Sequence, residues 1–140
     1  MTQVVESFRQ RRQLRAARRV ADRELLRSPA PSLQFSWRAA ELVIPKRRLD
    51  LAHQLRRLVH DADARLLPGA QTFDRLAVRA EAESFLALAD RLADLERPVA
   101  PRGVLLVEQL LEDEWGPLYD RDRADELSDA LDDAAEALEH

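Results

Sequence analysis

The chain has no cysteine. That excludes disulfides, thiol catalysis and cysteine-ligated zinc or iron–sulfur centres. Glycine is nearly as scarce, at three in 140 residues. The three are separated, so no glycine-rich phosphate loop can form. The serines stand in no nucleophile-elbow pattern. Long apolar runs are missing too. None approaches the roughly 18 residues of a membrane span, and the N-terminal MTQVVESFRQRRQ lacks an apolar signal core. These absences point to a cytoplasmic protein with no cofactor, whose chemistry, if any, folding alone would assemble.

What is present is Ala, Leu, Arg, Asp and Glu in quantity. Most are good helix formers. The expectation is an all-α fold: one bundle of five to six helices over residues 1–138. Glu139 and His140 read as the remnant of an expression tag. Pro and Gly cut the chain at 28–32, 45, 68–69, 98–103 and 116–117. Six segments remain, at about 3–27, 34–44, 46–67, 72–96, 103–115 and 122–138.

The densest apolar stretch is 99–119, VAPRGVLLVEQLLEDEWGPLY. A helix over about 103–115 is expected at its centre. At about 100° per residue, Val104 to Val107 point in four directions, so neighbours must enclose that turn. Val107, Leu110, Leu111 and Trp115 then narrow to a stripe, with Glu108, Glu112 and Asp113 facing away. Trp115 and Tyr119 flank Gly116-Pro117. They are candidate partner-binding anchors, since Trp and Tyr are favoured at interfaces; the plainer reading has them plug one end of the bundle.

Elsewhere the stripes are simpler. Leu51, Leu55, Leu58, Ala62 and Leu66 share one face. Val78, Ala82, Phe85, Leu88, Leu92 and Leu95 follow three-and-four spacing. Leu127, Leu131, Ala134 and Leu138 lie opposite Asp125, Asp129, Asp132, Asp133 and Glu136. Leu14, Ala17, Ala21 and Leu25 line the first segment, while Val4, Val5 and Phe8 fall off that line, either as a separate sticky tip or because the helix begins later than residue 3. Residues 33–44 are ambiguous: Leu33, Phe35 and Trp37 alternate as in a strand, yet Ser36 could open a helix.

His53 and His60 lie seven apart on one face, near Asp50, Asp61 and Asp63. Asp50-x-x-His53 has a spacing used in bundle di-metal sites. A second such motif is absent, and Arg56 and Arg57 would repel a cation. Solvated surface histidines and no metal site are expected.

Arg102-Gly103-Val104, the Leu/Val run after it and the closing Gly116-Pro117-Leu118-Tyr119 resemble a pattern in uncharacterised all-helical proteins of high-GC bacteria. That resemblance implies a helical domain and no particular activity.

Charge is segregated. Residues 1–65 hold 15 Lys and Arg against 7 Asp and Glu; residues 66–140 hold 7 against 19. The first 27 residues carry +5, from 8 Arg against 3 carboxylates. Residues 108–140 carry −11. The expectation is a non-enzymatic binding or scaffold module acting through protein contacts or as a homo-oligomer. Arg15, Arg18 and Arg19 are its candidate basic contacts, reaching acidic residues such as Asp129, Asp132 and Asp133. The alternative is a nucleic-acid-associated protein using the Arg-rich first helix, although the basic segments lack interleaved aromatics. A membrane-surface role fits less well, because the apolar face of that helix is largely Ala.

Overall fold

The computed structural model describes residues 2–28, 32–65, 72–113 and 124–140, with side chains over 7–28, 32–61, 81–113 and 125–140. The fold is all-α. Among the described residues six α-helices run in order: α1 (Thr2–Arg27), α2 (Ser36–Val43), α3 (Pro45–Arg65), α4 (Thr72–Ala93), α5 (Pro101–Glu112) and α6 (Ala124–Glu139). No strand occurs among the described residues. Leu33–Phe35 is a short 3-10 turn rather than a strand, closed by the Ser36 hydroxyl donating to the Leu33 carbonyl at 2.9 Å. The chain divides into two compact units, Met1–Glu41 and Leu42–His140.

The second unit is a four-helix bundle. α3 packs along α4, α5 packs along α6, and the pairs meet through α3 with α5 and α4 with α6. Pro45 opens α3 at its first turn, where a missing N–H leaves nothing unsatisfied. Pro101 does the same for α5, after Ala100 in the extended conformation that a following proline enforces. α5 therefore begins two residues before the expected 103 and ends at Glu112, the helix stopping at Asp113.

α5 is the buried centre. Gly103, Val104, Leu105, Val107 and Leu110 are buried, as are Leu51, Leu55, Phe85, Leu88 and Leu92 around it. Two expected core positions, Leu58 and Leu111, are only half-buried; Leu105 and Leu110 take more of the packing surface of α5. Glu108 was expected to face away and does not. It is 7% exposed, and Arg47 Nε donates to its Oε1 at 2.7 Å. A partner on α3 makes an inward carboxylate tolerable there.

Gly103 has a packing reason. A Cβ built on it would fall inside van der Waals contact of the Leu138 backbone. The α5 and α6 backbones touch at this point, and the Ala100 N–H donates to the Leu138 carbonyl at 2.9 Å. α6 runs on through Glu139, whose carboxylate accepts from Arg91 Nε at 2.5 Å.

α4 was expected to reach residue 96 and stops at Ala93. Arg48 explains the stop. It is 5% exposed and donates to the carbonyls of Leu92 at 2.9 Å, Asp94 at 2.8 Å and Arg91 at 3.3 Å. The Arg91 and Leu92 carbonyls are among those that a helix end leaves without partners. The chain then turns, the Arg97 N–H bonding the Asp94 carbonyl. Leu95 sits in that turn and is exposed rather than on the buried face.

Candidate interaction surface

The first unit is dominated by α1. Its C-terminal part is held in place: Ala21 and Leu25 are fully buried. Beside them lies a network of four charged side chains. Arg18 donates to both oxygens of Glu41, Nε at 2.9 Å and Nη2 at 3.1 Å. Arg38, almost wholly buried, donates to Asp22 at 2.6 Å and to Glu41 at 2.7 Å. Burial raises the Glu41 pKa, but the hydrogen bonds and charges of Arg18 and Arg38 outweigh it and hold the carboxyl below its ordinary value. Forked guanidinium–carboxylate contacts of this kind fix orientation as well as adding energy. Here they join α1 to α2.

Toward the N-terminus the support ends. From Ser7 to Val20 every residue is exposed except Arg18, which is half-buried. Leu14 and Ala17 continue the stripe of Ala21 and Leu25 but remain in solvent. Phe8 is 60% exposed, and Val20 is exposed as well. Val4 and Val5 lie outside the described side chains. Along this arm Arg11 and Arg15, and Arg15 and Arg19, stand one helical turn apart. Like charges at that spacing destabilise a helix by a few tenths of a kcal/mol each. A solvated helical stretch of this length is marginal even with favourable sequence. The arm thus combines exposed apolar side chains with uncompensated positive charge.

The predicted basic contacts divide. Arg15 and Arg19 are exposed on the arm. Arg18 reaches Glu41, which stands close enough to take both Nε and Nη2. Trp115 and Tyr119 lie outside the described residues.

In the second unit, α6 presents the opposite charge. Leu127, Leu131, Ala134 and Leu138 are buried, and Asp125, Asp129, Asp132, Asp133 and Glu136 are exposed, as the spacing predicts. Beside that acidic face a groove of about 290 Å³ runs between α4 and α6. Ala87, Leu88, Leu131, Ala135 and Leu138 make its floor, with Ser84, Arg91, Asp132 and Glu139 at its edges. Sequence reasoning missed the groove. Its one local signal was the small residues Ser84, Ala87 and Ala135, which leave room where larger side chains would close the seam.

His53 and His60 are exposed on α3. No cluster of three or more metal-ligating side chains occurs among the described residues. Arg56, on the same helix, pairs with Asp90 at 3.1 Å across to α4. Among the described residues no helix is long and apolar enough to cross a membrane. The chain matches no family model, no curated protein and no solved structure.

Proposed function

We propose that this chain is a non-enzymatic, cytoplasmic binding module whose α1 arm docks onto an acidic protein surface. One observation carries the reading: residues 7–20 of α1 are helical yet exposed, Arg18 alone being half-buried. A helix that repels itself and buries so little gains most of its stability when something else covers it. The covering surface must be anionic to neutralise Arg11, Arg12, Arg15 and Arg19, and apolar in places to take Phe8. An interface of that composition favours Arg and aromatic residues as anchors.

A second reading, nucleic-acid association, draws on the same bare arginines. The arm could neutralise phosphates, and counterion release would drive the binding. Against it stands Phe8, the only aromatic side chain on the arm, which is too few for base stacking.

Poly-L-glutamate and duplex DNA separate the readings. The protein is expected to bind polyglutamate at low salt, and the triple variant Arg12→Glu, Arg15→Glu, Arg19→Glu to lose that binding. Failure to bind polyglutamate overturns the reading. Preferential binding of DNA, with affinity falling steeply with salt, puts the second reading in its place.

A further inference from the structure

We infer that the acidic surface which receives α1 is α6 of a second copy of the same chain, an inference that rests on the docking role of α1. The register supports it. On α1, Arg12, Arg15, Arg19 and Arg23 recur at three- and four-residue steps and share one stripe, all four exposed. On α6, Asp125, Asp129, Asp132 and Glu136 do the same, all four exposed. Each stripe spans eleven residue steps, about 16 Å at the helical rise. Laid antiparallel, Arg12 faces Glu136, Arg15 faces Asp132, Arg19 faces Asp129 and Arg23 faces Asp125, each within one residue of register.

Each stripe alone is a row of like charges one turn apart, which opposes its own helix. Bringing the two together relieves both. The same register carries Phe8, one turn before Arg12, to the C-terminal end of α6. There the groove between α4 and α6 presents Leu138, beside Arg91 and Glu139 at its edge, as apolar surface for one aromatic ring. An arm on each copy and a receptor on each copy allow two equal contacts, the arrangement of a symmetric dimer.

Charge reversal tests this on the full chain. Light scattering after size exclusion, at low salt and micromolar concentration, is expected to give twice the chain mass. The arm variant Arg12→Glu, Arg15→Glu, Arg19→Glu and the receptor variant Asp129→Lys, Asp132→Lys, Glu136→Lys are each expected to raise the dissociation constant on the order of a hundredfold. All six positions are exposed, and circular dichroism checks that helicity is kept. Mixed in equal amounts, the two variants are expected to pair again with each other, a rescue that misfolding cannot produce. Phe8→Ala is expected to weaken the dimer about tenfold. Salt near 1 M, where the screening length is about 3 Å, should dissociate it. A monomeric wild type, a dimer indifferent to either reversal, or variants that fail to pair when mixed would each overturn the inference. Polyglutamate binding by that same monomer would leave the docking role of α1 standing; its absence would remove both.

Discussion

Replacing Arg48 with Met removes three hydrogen bonds to the end of α4 while keeping most of the aliphatic stem. The guanidinium holds the Leu92 carbonyl at 2.9 Å, the Asp94 carbonyl at 2.8 Å and, at a longer 3.3 Å, the Arg91 carbonyl. Hydrogen bonds to a charged donor contribute about 1.5–3 kcal/mol each, and the two short ones count fully. An opposing effect reduces the sum. Burial, with Arg91 nearby, lowers the Arg48 pKa, so the charged group is itself unfavourably placed. Met lifts that penalty. The net loss for Arg48→Met is about 2–4 kcal/mol. Urea unfolding followed by circular dichroism is expected to show an earlier midpoint with an unchanged slope. Amide exchange in the Asp94–Arg97 turn should accelerate alongside. Arg48→Lys should recover only part of the loss, because a compact ammonium cannot span three carbonyls as a guanidinium does. A loss below about 1 kcal/mol in the Met variant would refute the account of why α4 ends where it does.

Gly103→Ala should destabilise the fold although Ala is the better helix former by about 1 kcal/mol: its Cβ meets the Leu138 backbone, so thermal unfolding is expected to shift down, and an upward shift would show that the helices separate freely. Leu105→Ala should lose about 2–5 kcal/mol, the range for emptying a packed site, and half-buried Leu111→Ala should lose clearly less in the same urea titration. Glu81 carries a pH effect. Its Oε2 is buried without a hydrogen-bond partner, and desolvation raises its pKa from 4.5 to about 7. Below pH 4.5 the carboxyl is neutral in both states; between 4.5 and 7 the unfolded chain ionises while the folded chain keeps its proton. The contribution of this group therefore falls as pH rises through that window and stays low above it. Glu81→Gln should flatten that decline and be the more stable protein at its upper end; parallel stability curves for the two proteins would refute the effect.

Element boundaries were largely legible because they are local. Pro45, Pro98 and Pro101 act on their own neighbours, and α6 wrote its buried and exposed faces in one unbroken stripe. The departures arise where residues far apart in sequence decide. Nothing near Leu92 announces that Arg48, 44 residues away, will take its carbonyl. Glu108 turns inward because Arg47, 61 residues away, meets it. Periodicity also cannot say whether a stripe is covered. Leu14 and Ala17 carry the same spacing as Ala21 and Leu25, yet only the latter pair is buried. At the candidate surface, Arg15 and Arg19 are exposed basic residues. Arg18 is claimed by Glu41, whose distance in sequence hid it.

The docking role of α1 is tested most directly by amide exchange across residues 9–19. On dilution at moderate salt these amides are expected to exchange at nearly free-peptide rates while those of α5 remain protected. Adding polyglutamate should slow the arm alone. Protection of residues 9–19 that ignores dilution, salt and polyglutamate alike would contradict the account, because an arm that holds itself helical needs no partner.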